Sequence, residues 1–71
     1  MNLKEAKEDH TYTVMGMELP VETERRLCVL GLTQNSKIYV MSNRKKGAMI
    51  VRIRGCRYAF GRNIAEHIFV A

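Results

Sequence analysis

"RRLCVLGL", residues 25–32, sets two arginines ahead of an apolar run that a single glycine interrupts. Extended back to Pro20 the stretch becomes "PVETERRLCVLGL" and reads as a short helix with both ends marked. Proline is favoured in a first helical turn, where its missing N–H is not needed. Glu22 and Glu24 lie near that end, where the helix dipole favours negative charge. Glu22 also stands four residues before Arg26, the favourable order for a helical ion pair. Gly31 takes the left-handed position just past the helix, which lets Leu32 fold back on Leu27. At roughly 100° per residue, Thr23, Leu27 and Leu30 share one face, and Val21, Arg25 and Cys28 lie opposite. The leucine face caps a core, and the mixed face points outward.

Short strands surround this helix. Residues 3–7 predict one helical turn, and "TYTVMGMEL" predicts a strand with a bulge at Gly16. After a turn at "TQNS", "KIYVMS" alternates Ile38 and Val40 against Lys37, Tyr39 and Met41. "NRKKG" is a charged turn before "AMIVRIRG", the clearest strand in the chain. Its Met49, Val51 and Ile53 face one way, and Ala48, Ile50, Arg52 and Arg54 the other. "CRYAFG" is a further strand, "RNIAEH" a single helical turn and "IFVA" a closing strand. Residues 1–71 therefore predict one mainly β domain: a small, partly open barrel of five short strands with one helix after the first. Barrel closure suits so short a chain because it leaves no long unpaired edge.

At 71 residues the core supplies only a few kcal/mol (roughly 3–5), so packing must be compact and regular. Twelve Lys and Arg against seven Asp and Glu give a net charge of +5, unevenly spread. Past Leu30 the one acidic residue is Glu66, among Lys37, Arg44, Lys45, Lys46, Arg52, Arg54, Arg57 and Arg62. Such a balance suits an acidic protein face, nucleic acid or acidic lipid. The charged "MNLKEAKEDH" is no signal peptide, and stretches such as "CVLGL" and "AMIV" are too short to span a bilayer. Cys28 and Cys56 are too few for a disulfide framework and are expected to be reduced, buried and inert in a cytosolic domain.

Chemistry is sparse. His10, His67, Cys28 and Cys56 fall in none of the spacings that gather metal ligands locally, so no metal or other cofactor is expected. Ser36 and Ser42 flank a strand without an evident base, Glu22 and Glu24 are solvated helix carboxylates, and the glycines are isolated. The sequence is not that of an enzyme. Arg52, Arg54, Arg57 and Arg62 interleave with Tyr58 and Phe60, the mixture that small single-strand-binding barrels use. The opposite reading puts both aromatics in the core, which a domain with so few of them needs.

Two spaced motifs run through nearly the whole chain. Arg26, Leu27, Leu30, Gly31 and Leu32 fit R-L-x-x-L-G-[LM]. Gly55, Ala59, Phe60, Ile64, Ala65, Ile68 and Val70 fit G-x-x-x-A-[LF]-x-x-x-[IL]-A-x-x-I-x-V. Together they resemble the ferrous iron transport protein A family (FeoA). Where that family often carries Pro-Gly turns, this chain has Glu8 and Asp9, and Gln34 and Asn35. Asp and Asn serve such turns too. The resemblance implies an SH3-like barrel with a helix after the first strand. It also implies a cytoplasmic accessory of the membrane GTPase FeoB, which moves Fe(II) inward, with the chain peripheral to the membrane only through that partner. On this reading no stable nucleic acid is bound, and Arg25, Arg52 and Arg54 are the candidate partner-binding residues. The alternatives are a basic nucleic-acid-binding barrel or an SH3-like regulatory domain of the iron-repressor type.

Overall fold

A computed structural model describes residues 1–44 and 46–71; of the charged "NRKKG" turn, Lys45 lies outside the described residues. A 3₁₀ turn at Leu3–Glu5 leads into β1 (His10–Met17), α1 (Val21–Val29), β2 (Lys37–Ser42), β3 (Met49–Ile53), β4 (Cys56–Phe60), α2 (Arg62–Ala65) and β5 (Ile68–Val70). The strands form one antiparallel sheet in the order β4-β3-β2-β1-β5. β1 serves both halves: its first residues pair with β2, and Val14, Gly16 and Met17 pair with β5. The register shifts between Val14 and Gly16, so the bulge expected at Gly16 leaves the exposed Met15 as its extra residue.

The helix ends as its sequence requires. Leu32 N–H donates to the Leu27 carbonyl and Gly31 N–H to that of Cys28, each at 3.0 Å, with Gly31 at φ 105°. This is a Schellman stop, and it buries Leu27 and Leu32 together. Leu30 packs against the same core, while Val21 and Val29 remain 62% and 87% exposed outside. At the other end Pro20 is the cap residue and α1 begins at Val21, one position later than expected. The expected Glu22–Arg26 pair does not close. Among the described residues the Lys or Arg ion pair is Lys4–Glu66 at 3.5 Å, and His67 Nε2 lies 3.5 Å from Glu66 Oε1. Two exposed side chains gain too little in water to hold one geometry.

Period-two alternation places Ile38, Val40, Met49, Val51 and Ile53 in the core, all fully buried. Phe60 joins them at 6% exposed, and Tyr58 packs against the cluster 6.5 Å from it. Core wins over stacking platform. The turn substitutes also hold: Asp9 and Asn35 take φ 61° and 71°, the left-handed geometry those turns need.

Closure is incomplete. The outer edge of β5 is covered by the chain's own start, with Val70 N–H donating to the Met1 carbonyl at 2.8 Å and Asn2 bridging Phe69. Among the described residues β4 pairs with β3 alone, so one edge of the partly open barrel stays unpaired. Asn43, just after β2, ties the start of the chain to α2. Its side-chain amide donates to the Lys4 and Ala6 carbonyls at 3.0 and 2.6 Å, and Arg62 donates to its Oδ1 at 3.4 Å.

These contacts set two stability expectations, both read by urea unfolding. Leu27→Ala should cost about 2–5 kcal/mol, as a core truncation does. Gly31→Ala should cost about 1 kcal/mol or more, because φ 105° is unfavourable for any side chain. Parent-like unfolding of both variants would contradict the helix packing described.

Candidate interaction surface

The described residues enclose no pocket and gather no cluster of three metal-ligating side chains. Of the charged residues that the sequence singles out, Arg52 and Arg57 gather on the outer surface of the sheet. Its layout follows from one turn. Arg54 and Gly55, at φ 51° and 82°, form a two-residue hairpin loop in which both residues are left-handed. That loop pairs Ile53 with Cys56 and hence Arg52 with Arg57. On its other side Arg52 pairs with Tyr39, and Tyr39 with Thr11. A row of Thr11, Tyr39, Arg52 and Arg57 thus crosses four strands on the face turned away from the core.

Electrostatics organise this row. The Arg52 guanidinium lies over the Tyr39 ring, 5.6 Å from its centre, in a cation–π arrangement. The Tyr39 hydroxyl donates to Asp9 Oδ1 at 2.9 Å. That hydrogen bond chiefly, with partial burial and the Asp9 charge, raises the phenol above its ordinary pKa, while Arg52 pulls it down. Next along β2, Lys37 Nζ donates to Thr13 Oγ1 at 2.6 Å. No carboxylate of the described residues pairs with Arg52 or Arg57. Directly opposed like charges destabilise a sheet by up to roughly 1 kcal/mol. The pair weakens the fold slightly and makes an anion-attracting spot.

The expected partner-binding residues separate. Arg25 stands exposed on the outer face of α1, with Val21, Cys28 and Val29. Arg52 lies on the outer face of the sheet. Arg54 does not share that strand face, because its positive φ ends the alternation. Its side chain lies instead across Gly31, where a Cβ would stand 2.9 Å from Arg54 Cδ. Arg57 and Tyr39, which strand alternation alone did not single out, are the residues brought to Arg52. "RG" is a weaker hairpin signal than Asn-Gly or Asp-Gly, but read as a two-residue turn it gives this register. The cysteines correct another expectation: both are free and exposed, Cys28 on the helix face away from the leucines and Cys56 just after the turn. Partial burial chiefly, then the neighbouring Cys56, raises the Tyr58 phenol. His67 is exposed beside Glu66, and the His10 ring lies 2.8 Å from the Glu8 carbonyl through Nδ1.

Comparison with known proteins extends over the same barrel. A family model described as the FeoA domain matches residues 1–71. The solution structure of FeoA from Chlorobium tepidum is 30% identical, with a TM-score of 0.90 over 99% of this chain and 68% of that one. A crystal structure of an iron uptake regulatory protein, FeoA, is 24% identical, with a TM-score of 0.89 over 99% and 93% of the two chains. FeoA of Stenotrophomonas maltophilia, complexed with zinc and described as an SH3 domain protein, is 20% identical, with a TM-score of 0.87 over 100% and 89%. No protein of curated function matches.

The Tyr39–Asp9 contact makes a pH prediction. A raised phenol pKa means that the folded state holds this proton more tightly than the unfolded chain does. Its stabilising effect is complete below about pH 10, the unfolded value, and is lost as pH rises through the higher folded value. Asp9→Asn keeps a residue that tolerates positive φ but removes the charge. In a spectroscopic tyrosine titration it should lower the Tyr39 midpoint; an unchanged midpoint would show that the carboxylate does not govern it.

Proposed function

The chain belongs to the FeoA family, and from that premise we propose that it is a cytoplasmic, non-enzymatic accessory of ferrous iron uptake that docks on the FeoB-like membrane GTPase. The observation that carries this reading is the row in which Arg52 and Arg57 stand side by side without an acidic partner. Unpaired surface arginines steer an acidic protein face and serve as anchors once desolvated. Arg25, flanked by exposed Val21 and Val29, adds a second contact on α1, where apolar surface surrounds one charge. Arg54, lying across the end of α1, is the third. No helix among the described residues is long and apolar enough to cross a membrane, and the transporter supplies the membrane attachment.

The nucleic-acid reading loses its main support in the burial of Phe60 and the packing of Tyr58 against the core, since stacking needs exposed rings. The test is capture of the GTPase from membranes by the purified chain, with nuclease and at several salt concentrations. Binding should survive nuclease and weaken with salt. The triple reversal Arg25→Glu, Arg52→Glu, Arg54→Glu should reduce it at least about tenfold in a folded protein. Unchanged binding by that variant would move the docking surface to the apolar rim, and recovery of nucleic acid alone would overturn the reading.

A further inference from the structure

We propose that the open edge of β4 accepts an extended acidic segment of the partner as a sixth strand, with a carboxylate seated beside Arg57. The proposal rests on the transporter reading above and names the contact that reading leaves open. Two independent features of the fold carry it.

The first is an unused hydrogen-bonding edge. The loop at Arg54 and Gly55 makes Ile53 and Cys56 a hydrogen-bonded pair, and the pattern then alternates along an antiparallel ladder. Cys56, Tyr58 and Phe60 turn their backbone groups toward β3, while Arg57 and Ala59 turn theirs outward. Among the described residues nothing hydrogen-bonds to those outward groups. Cys56, Arg57 and Ala59 are exposed, so approach to the edge is not blocked by their own burial. The contrast with β5 is direct, because there the first residues of the chain occupy the corresponding edge.

The second feature selects the occupant. A strand laid beside β4 continues the row Tyr39, Arg52, Arg57 by one place, next to two guanidiniums that have no counter-ion. An acidic side chain there meets opposite charge, and main-chain hydrogen bonds supply the rest, as in other strand additions. A second copy of this chain is disfavoured. Edge-to-edge pairing of two β4 strands would bring two Arg52–Arg57 pairs together on one surface, the kind of edge charge that blocks self-association.

The experiment uses the whole chain, isotope-labelled, and a capped octapeptide alternating glutamate and valine, with a lysine–valine peptide as control. At millimolar concentration the acidic peptide should slow amide exchange at Arg57 and Ala59 at least about tenfold, and the basic peptide should not. Ala59→Pro removes an outward N–H without touching the β3 ladder, and Arg57→Glu inverts the charge; each should weaken peptide binding at least about tenfold. Should Ala59→Pro fail to fold, Arg57→Glu and the exchange measurement on the parent chain decide. The proposal is overturned by unprotected Arg57 and Ala59 amides, by equal binding of both peptides, or by full binding to a folded Ala59→Pro chain. Capture of the GTPase separates it from the reading on which it rests. A folded Ala59→Pro chain that still captures the GTPase overturns the edge and leaves the transporter reading standing. A parent chain that binds the acidic peptide but never the GTPase supports the edge and removes the transporter.

Discussion

The turn between β3 and β4 rests on the end of α1 because residue 31 has no side chain. A Cβ at Gly31 would stand 2.9 Å from Arg54 Cδ, 3.0 Å from its Nε and 3.3 Å from Ile53 Cγ2. The arginine side chain could swing aside, but the backbone could not relax as easily. Gly31, Arg54 and Gly55 all sit at positive φ, so both partners in the contact depend on left-handed residues. On the helix side this geometry completes the Schellman stop and drives Leu27 and Leu32 into the core. On the sheet side it fixes the register that puts Arg57 beside Arg52. Fold and candidate surface therefore share one constraint.

A domain of this size has apolar side chains for one face of its sheet and little beyond that. The outer face is free to carry charge, and it carries mostly one sign. Tyr39 mediates: its ring lies beneath Arg52 while its hydroxyl is tied to Asp9, so the cation is placed without being neutralised by a direct ion pair. The edges are treated as unequally as the faces. β5, only three residues long, is covered by the first residues of the chain; β4 is left for something else to cover.

Local periodicity was enough for the elements. Alternation in residues 37–42 and 49–53 gave the buried faces of β2 and β3, and the Gly31 stop followed from the spacing of Leu27, Gly31 and Leu32. Family resemblance added the SH3-like arrangement, and the left-handed Asp9 and Asn35 show how the chain manages without its relatives' glycine turns. Pairing partners were less legible. Alternation tells which way a side chain points but not what stands beside it, so it sets Arg54 on the face of Arg52 and cannot show that Arg57, one of the four interleaved arginines, is the residue paired with Arg52. The open β4 edge was hidden for a different reason. It depends on whether distant segments cover each margin, and the bridge from Asn2 to Phe69 joins opposite ends of the chain. Burial of the cysteines was expected from residue type alone, which cannot weigh a helix face already assigned outward.

On the proposed reading, charge on this face, placed by the β3–β4 register, guides association with an acidic protein surface. The most direct measurement is the affinity of the purified chain for the detergent-solubilised GTPase across a series of salt concentrations. Screening shortens the reach of exposed charges to a few ångströms at about 1 M salt. Affinity should therefore fall at least about tenfold between low and high salt, mostly through a slower association rate. An affinity and association rate that stay constant across the series would contradict the claim.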